Sequence, residues 1–388
     1  MNIDELDRKL LTLLQKEIPL ETRPFQKMAV ELGCSEEETL RRIRRLKEEE
    51  KIIRQISAIF DTKNLGYKST LVAMRFDEKD LDQGAGVINQ HPGVSHNYKR
   101  NCDFNLWFTV AVPPKETVEA HVDRLHELSG SRRTLILPTL RLFKIGVKLD
   151  LTGKESKEES AGEIFDESRR RKSVPDLTES EIEVIRALQE DLPVVEAPFV
   201  ELSQEIGISE HGLFEIIRSF QSRNYLRRIA AILHHRRAGF AANAMVVWAI
   251  PHEELDRIGP EMAKFREVSH CYERPIFSDW PYSIYTMVHG AKVSDCEAIV
   301  DRMEEKIGKW PRLNLYSTKE YKKIRLKYFT KELDEWWETA SSSQDSAVVI
   351  ARRREAPTKQ STNADCFARL RRARNDGVEA SPLQGSSQ

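Results

Sequence analysis

The chain has 388 residues, which is enough for two or three domains with their own hydrophobic cores. Its 61 Lys and Arg residues against 62 Asp and Glu residues give a formal net charge of −1, which argues against a polyanion binder that relies on bulk electrostatics. The five cysteines are scattered without C-x-x-C spacing. That pattern argues against a disulfide framework or a structural zinc site and is typical of a reducing compartment.

The N-terminal sequence predicts a cytoplasmic protein. The segment 1–5 (MNIDE) is acidic and leads directly into a helical pattern, so we expect no signal peptide. No apolar run in the sequence approaches the roughly 20 residues that a membrane-spanning helix needs. We therefore expect no membrane partner.

Residues 1–60 predict a helix-turn-helix domain. Leucines recur at helical spacing in the first helix, at Leu6, Leu10, Leu13 and Leu14. A short second helix over 25–32 ends at Gly33, and a capping box of Ser35 with Glu38 begins the third helix. Residues 52–60 then predict a strand or wing.

Residues 61–150 predict a ferredoxin-like domain with the order β-α-β-β-α-β. The expected strands and helices cover, in chain order, 70–76, 82–90, 94–100, 104–112, 115–128 and 134–144. A turn at 101–103 (NCD) joins the two central strands into a hairpin.

The whole pattern occurs twice. The segment 94–100 (VSHNYKR) returns at 268–274 as VSHCYER, and GCS at 33–35 returns at 207–209 as GIS. The offset between these matched segments is 173 or 174 residues, so they align with only single-residue gaps. A tandem duplication of one module is the simplest interpretation.

The predicted fold class is therefore α+β, with a helix-turn-helix domain and a ferredoxin-like domain repeated in tandem. After the domains at 1–60 and 61–150 we expect a linker at 151–176, a second helix-turn-helix domain at 177–233 and a second ferredoxin-like domain at 234–333. The region 334–388 is poor in hydrophobic residues and is expected to be a disordered tail.

A histidine, a tyrosine and an arginine occupy positions i, i+2 and i+4 in both copies. They are His96, Tyr98 and Arg100 in the first copy and His270, Tyr272 and Arg274 in the second. If each segment is a strand, side-chain alternation places all three groups on one face. An imidazole, a hydroxyl and a fixed cation on one face suit a ligand that carries carboxylates.

These features resemble the Lrp/AsnC family, and within it the branch of the siroheme decarboxylases. That branch carries His-x-Tyr-x-Arg on the first strand of the central hairpin and an aromatic-rich second strand. The second strands here are FNLWFT at 104–109 and WPYSIYTM at 280–287. The HNYKR variant of the first copy and the HCYERP variant of the second resemble the two subunit types of this enzyme, so the chain resembles a fused two-subunit form.

The resemblance implies a lyase of the carboxy-lyase class. It implies removal of CO2 from two acetate side chains of siroheme, giving 12,18-didecarboxysiroheme in heme or heme d1 biosynthesis. No external cofactor is implied, because the iron arrives with the siroheme substrate. A homodimer of the fused chain is compatible with the way Lrp-type units assemble.

The resemblance also implies roles for the repeated side chains. His96 and His270 would donate protons or polarise the macrocycle, and Tyr98 and Tyr272 would relay protons or bind a carboxylate. Arg100 would clamp acetate or propionate groups in one copy and Arg274 in the other. The aromatic residues expected to stack on the flat ring or to wall the pocket are Trp107, Trp280, Tyr282 and Tyr285.

Structural alternatives accompany these assignments. A strand histidine is more often a hydrogen-bonded structural residue than a catalyst, one copy could only scaffold the other, and either His96 or His270 could ligate the siroheme iron. Trp107 lies on the strand face opposite Leu106 and Phe108, where core packing is as reasonable as ligand contact. The adjacent pair His234-His235 points to opposite strand faces, which argues against a metal site.

A DNA-binding transcription regulator is the main alternative function, and a non-enzymatic heme or siroheme sensor is another. The expected recognition helix begins at Ser35 with three glutamates, whose carboxylates would repel the DNA backbone. Its cations come later, at Arg41, Arg42, Arg44 and Arg45. The corresponding helix of the second copy, SEHGLFE at 209–215, is also poor in cations, so DNA is not the expected partner.

Overall fold

The computed structural model describes residues 3–145, 176–233 and 242–342, and the following account concerns these ranges. Most of the expected linker, the pair His234-His235 and the chain after residue 342 lie outside the described residues. Among the helices within these ranges, none combines the length and the apolar character that crossing a bilayer requires.

The first copy has the two domains that the sequence predicts. Its helix-turn-helix domain contains α1 (Glu5–Lys16), α2 (Pro24–Leu32), α3 (Glu36–Arg44) and β1 (Ile53–Phe60). The next domain contains β2 (Lys68–Arg75), α4 (Leu81–Gln90), β3 (Val94–Arg100), β4 (Leu106–Val112), α5 (Val118–Ser129), β5 (Arg133–Leu137) and β6 (Arg141–Ile145). The single final strand expected at 134–144 is wrong, because the chain forms two strands there that belong to different parts of the sheet.

The second copy repeats this order. Its elements are α6 (Glu179–Leu188), α7 (Pro198–Glu205), α8 (Glu210–Ser222), β7 (Leu226–Leu233), β8 (Ala242–Trp248), α9 (Leu255–Ala263), β9 (Val268–Glu273), β10 (Ile284–Gly290), α10 (Val293–Ile307) and β11 (Arg312–Lys323). A further helix, α11 (Lys331–Ser342), follows. The disordered tail expected from residue 334 is therefore wrong for its first nine residues, because Leu333 anchors this helix in a buried position and Trp336 packs against the first ferredoxin-like core.

Local signals explain the helix ends. Gly33 ends α2 in the left-handed conformation at φ 71°, which glycine adopts without a Cβ clash. Ser35 caps α3, since its hydroxyl accepts the N–H of Glu38 at 3.1 Å. The Glu38 carboxylate accepts hydrogen bonds from Arg41 and Arg42 and not from the backbone N–H of Ser35. The predicted capping box is thus only half formed.

The two helix-turn-helix domains share one hydrophobic core. Strands β1 and β7 pair antiparallel between them. The Ile18 N–H donates to the Ile229 carbonyl, and the Leu192 N–H donates to the Ile56 carbonyl, both at 2.7 Å. Because each of these bonds repeats the other with the copies exchanged, the domains are related by a pseudo-twofold axis.

The ferredoxin-like domains form one nine-stranded sheet in the order β5-β2-β4-β3-β11-β8-β10-β9-β6. Each copy keeps its own four-stranded order, and the end of its last strand crosses to the other copy. The first half of β11 pairs with β8, and its second half pairs with β3. In the same way β5 pairs with β2, whereas β6 pairs with β9. The strands β3 and β9, which carry the repeated histidines, would be edge strands in an isolated copy, and here each is paired with a strand of the other copy.

An inter-sheet core joins the inner faces of the two halves of this sheet. Its members come from both copies and include Ala73, Phe104, Trp107, Leu135, Leu137, Met245, Val247, Trp280, Tyr282, Tyr285 and Leu315. The alternate strand residues point to the helices instead, as Val72 and Val246 do. The inter-sheet core therefore sets the spacing of the inner faces.

We expect Leu135→Ala to lower the free energy of unfolding by about 2–5 kcal/mol, because Leu135 is fully buried in the inter-sheet core. Val30→Ala is the control, since Val30 is 77% exposed and its change should stay within about 0.5 kcal/mol. Urea denaturation followed by tryptophan fluorescence measures both. Equal stability of the two variants would contradict the assignment of this core.

Candidate functional site

In the first copy His96, Tyr98 and Arg100 share the inner face of β3, as predicted. The His96 and Tyr98 rings lie 6.2 Å apart between centroids, and the Arg100 guanidinium carbon lies 5.8 Å from the Tyr98 ring centroid. Asn97 points the other way, where its amide bonds Asn89 of α4 at 2.9 Å. Strand alternation therefore selects these three groups for one surface.

The second copy builds the same row of side chains on β9. The His270 and Tyr272 rings are 5.9 Å apart between centroids. The Arg274 guanidinium carbon lies 5.0 Å from the Tyr272 ring centroid and 5.5 Å from that of Tyr285. The structure thus confirms the shared face in both copies.

Each arginine reaches across to the other copy. The Arg100 guanidinium donates to the Leu315 carbonyl at 2.8 Å, and Arg274 donates to the Leu137 carbonyl. These carbonyls are equivalent, because Leu137 and Leu315 hold matching positions on the last strands. The contacts therefore obey the same pseudo-twofold relation as the helix-turn-helix domains.

Within the described residues, neither Arg100 nor Arg274 forms an ion pair with a carboxylate, and the Nε of each lacks a hydrogen-bond partner. Burial lowers the pKa of Arg100 to about 10 and also lowers the pKa of Arg274. Arg100, with a pKa of about 10, remains charged near neutral pH, and an arginine guanidinium is in general not deprotonated in proteins. Two poorly compensated cations on an inner face are favourable partners for anionic groups of a ligand.

Basic residues from other elements surround His96. Lys323 pairs with His96 in register on β11. Burial lowers the pKa of His96, the charges of Lys323 and Arg54 lower it further, and Glu320 opposes this effect. The Ser95 hydroxyl lies 2.9 Å from His96 Nδ1. This side of the site therefore combines a half-buried imidazole with two nearby cations.

His270 has a different environment. The Ser269 hydroxyl lies 2.7 Å from His270 Nδ1 and 2.6 Å from His289 Nε2. Burial lowers the pKa of His270 to about 4, and His289 contributes to the shift. His270 is thus a neutral imidazole at physiological pH, hydrogen-bonded through one ring nitrogen.

The four aromatic residues expected to contact the ring all lie in the inter-sheet core. Trp107, Trp280, Tyr282 and Tyr285 are each at most 6% exposed. The Trp107 and Trp280 rings lie 5.5 Å apart between centroids, and the Trp280 Nε1–H donates to the Tyr285 hydroxyl at 2.7 Å. Core packing of Trp107, which the sequence left open, is therefore what the structure shows. Contact of these rings with a ligand stays a prediction.

Sequence reasoning missed four further groups beside the histidines. Alternation placed Ser95 and Ser269 on the opposite strand face, but a β-bulge at each position turns the hydroxyl towards the histidine ring. Lys323 and Arg54 come close to His96 only through strand crossing and domain packing. No group of three or more His, Cys, Asp or Glu side chains is arranged for metal binding in the described part of the chain.

The pKa of His270 should be visible in the pH dependence of stability. Between pH 6.5 and about 4 the unfolded chain binds a proton that folded His270 excludes, so this group makes the folded state less stable as the pH falls. We expect His270→Asn to reduce the slope of unfolding free energy against pH in that window. Urea titrations of both proteins at several pH values measure it, and identical slopes would contradict a depressed pKa.

Comparison with known proteins identifies the family of this fold and site. The family model of the siroheme decarboxylase NirDL-like helix-turn-helix domain matches residues 7–54 and 181–227. The model of the AsnC-like ligand-binding domain matches residues 64–144 and 237–322. Each model therefore occurs once in each copy, in agreement with the predicted duplication.

Individual relatives cover nearly all of the folded chain. A siroheme decarboxylase of Hydrogenobacter thermophilus is 38% identical over 336 residues, which are 86% of this chain and 98% of the relative. A crystal structure of the siroheme decarboxylase NirDL superposes with a TM-score of 0.70 at 34% identity, covering 87% of this chain and 99% of that chain. A second NirDL crystal structure, in complex with an iron-uroporphyrin III analogue, gives the same TM-score at 33% identity and 87% coverage of this chain. Matching order of domains, sequence and fold show that this chain belongs to the siroheme decarboxylase family, in its fused two-copy form.

Proposed function

We propose that this protein is a carboxy-lyase that removes CO2 from two acetate side chains of siroheme, giving didecarboxysiroheme for heme or heme d1 biosynthesis. The observation that carries the proposal is the pair Arg100 and Arg274, inner-face cations without a carboxylate partner in the described ranges, each beside a His-Tyr row. A tetrapyrrole with acetate and propionate arms supplies the missing anions. The NirDL relative bound to an iron-uroporphyrin III analogue supports this class of ligand.

The chemistry requires a proton for each CO2 released. When an acetate on a pyrrole-type carbon loses CO2, the electron pair of the broken bond stays on the methylene carbon, and the conjugated macrocycle delocalises it. One proton then converts the methylene into a methyl group. No electron is gained or lost overall, so the reaction as written requires no external redox cofactor, and the iron is part of the substrate.

The histidines are the proposed proton donors. Each has one ring nitrogen occupied by a serine hydroxyl, at His96 Nδ1 and at His270 Nδ1. Nε2, the other nitrogen of each ring, would then donate the proton to the substrate. Tyr98 and Tyr272, whose rings lie next to these imidazoles, extend the hydrogen-bonding surface towards the arginines. Ligation of the substrate iron by one of the imidazoles is the alternative role.

The cations are the proposed anchors for the carboxylate arms. Arg100 and Arg274 bind carboxylates at the inner ends of the two rows, and Lys323 with Arg54 binds them near His96. The buried rings of Trp107, Trp280, Tyr282 and Tyr285 would wall the pocket and hold the strands that carry these groups. Loss of this wall would change the spacing of the sheets as well as the shape of the pocket.

Packing in the helix-turn-helix domains counts against a role in reading DNA. Arg42 is bound to Asp4, the N-cap of α1, to Asp7 of α1 and to Glu38, and Arg45 is also bound to Asp7. Arg41 pairs with Glu38, and Arg44 donates to the Val194 carbonyl in the other copy. These four arginines therefore already bind carboxylates or a carbonyl of the protein. We infer that siroheme is the partner and DNA is not, in a cytoplasmic enzyme that is free to form a homodimer.

Incubation with siroheme in the absence of oxygen tests the function. We expect the mass of the tetrapyrrole to fall by two CO2 units, while a gel shift with upstream DNA shows no salt-sensitive complex. Unchanged siroheme in the presence of bound protein would support a sensor instead. Unchanged siroheme together with a salt-sensitive DNA shift would support the regulator.

Substitutions of the arginines and of the histidines should have different effects on siroheme binding and on the reaction rate. We expect Arg100→Gln to raise the Kd for siroheme about 10- to 100-fold, because it removes a charged hydrogen bond worth about 1.5–3 kcal/mol. His270→Ala should instead slow the reaction about 100-fold or more with a smaller change in Kd. Absorbance titration gives Kd, and product mass against time gives the rate.

Arg257→Gln is the matched control for the arginine variant, because Arg257 is exposed on α9 and forms its salt bridge with Glu254, one turn away. Its Kd should stay within about 2-fold of the unmodified protein. If Arg100→Gln and Arg257→Gln bind siroheme equally well, the anchoring role of Arg100 is wrong.

A further inference from the structure

A continuous hydrogen-bonded chain runs behind His270. His289 Nε2 lies 2.6 Å from the Ser269 hydroxyl, and this hydroxyl lies 2.7 Å from His270 Nδ1. Ser269 is fully buried, whereas His289 near the end of β10 is only partly buried. The chain therefore leads from a partly buried histidine to Nδ1 of His270.

The backbone explains why these three side chains meet. His270 pairs with Met287 in register, and a β-bulge follows before Val268 pairs with Val288. The bulge turns the Ser269 hydroxyl to the side that His270 occupies. His289 follows Met287 by two residues and so lies on the same strand face. One irregular pair thus brings a second histidine to the first through a single hydroxyl.

The first copy keeps the serine but not the second histidine. The Ser95 hydroxyl bonds His96 Nδ1 at 2.9 Å, in the same arrangement as Ser269 with His270. Matching the β3–β4 and β9–β10 registers places Ala111 where the second copy has His289. Ala111 is buried and carries no titratable group. The two copies therefore differ in the side chain that lies next to the serine–histidine pair.

We propose that His289 and Ser269 form a proton relay that resupplies His270 during decarboxylation, and that only the second copy has this relay. The inference rests on the proposed function and adds two residues to its site. Ser269 and His289 are positioning and relay groups, because neither is required to touch the substrate. The relay makes the second copy the one that receives protons from bulk water.

The steps balance for each CO2. As the acetate C–C bond breaks, His270 Nε2 gives its proton to the methylene carbon. His270 Nδ1 takes the Ser269 hydroxyl proton, Ser269 takes the Nε2 proton of His289, and His289 Nδ1 takes a proton from solvent, so that neither ring has to become an imidazolium, which burial disfavours at His289 too. After the product leaves, His270 and His289 return to their first tautomers by exchange of their protons with water. One proton from solvent is consumed, one CO2 is released, and no group is oxidised or reduced.

The relay solves a physical difficulty at His270. Burial disfavours an imidazolium at this position. A neutral imidazole that loses a proton without replacement would become an imidazolate, which is a much stronger base. Simultaneous transfer to Nδ1 keeps the ring neutral throughout. A buried histidine can then act as a donor near neutral pH.

His289→Gln in the full chain tests the relay. The glutamine amide still donates a hydrogen bond to Ser269, but unlike an imidazole it cannot take up one proton and release another near neutral pH. With siroheme under anaerobic conditions, we expect the rate of CO2 loss to fall about 10- to 100-fold and the Kd for siroheme to stay within about 2-fold. Added imidazole should restore part of the rate in His289→Ala. A structural role alone would not respond to imidazole.

Two further variants provide controls. Ser269→Ala should slow the reaction more than Ser95→Ala, because only the former interrupts a link between two histidines. His252→Gln, at an exposed histidine of the same copy, should leave the rate unchanged. If His289→Gln and His289→Ala decarboxylate siroheme at the rate of the unmodified protein, the relay is wrong. If the unmodified protein itself releases no CO2, the proposed function fails, and that result is distinct from failure of the relay alone.

Discussion

The exchange of last strands between the two ferredoxin-like domains is the constraint on which the rest of the structure depends. Strand β11 leaves its own sheet to pair with β3, and β6 leaves its own sheet to pair with β9. Each exchange covers an edge strand, and these two edge strands carry the repeated histidines. The covalent link between the copies holds both pairings in one chain. Neither row of functional side chains would have its present neighbours in an isolated copy.

The same exchange explains the state of the two arginines. Arg100 and Arg274 each hydrogen-bond a carbonyl that belongs to the other copy's last strand. These bonds hold the guanidinium groups in place without neutralising them. A buried cation with a neutral partner is less stable than one paired with a carboxylate, so the free protein retains part of the desolvation cost. In the proposed function, a ligand with several carboxylates would offset that cost on binding.

The two copies differ in the residues around their histidines. The helix-turn-helix domains retain equivalent backbone hydrogen bonds, and the sheets retain equivalent strand orders. In contrast, Lys323 of the second copy and Arg54 of the first copy lie near His96, whereas His289 of the second copy bonds Ser269 of the same copy. The His96 imidazole therefore lies near two cations, whereas the His270 imidazole is hydrogen-bonded through Ser269 to a second histidine. The two histidines therefore lie in different electrostatic surroundings.

The sequence by itself determined the duplication, the fold class and the shared face of His, Tyr and Arg, because these follow from local periodicity and from repetition at a constant offset. It also separated Trp107 from Leu106 and Phe108 by simple alternation. Tertiary structure alone decided that the last strand of the first copy is split into β5 and β6. It also decided that α11 forms and that each arginine bonds a carbonyl of the other copy. It also decided the position of His289, since a single bulge reverses the face that alternation assigns to Ser269. These features depend on contacts between residues far apart in the chain, and local pattern carries no information about which distant strand will supply the partner.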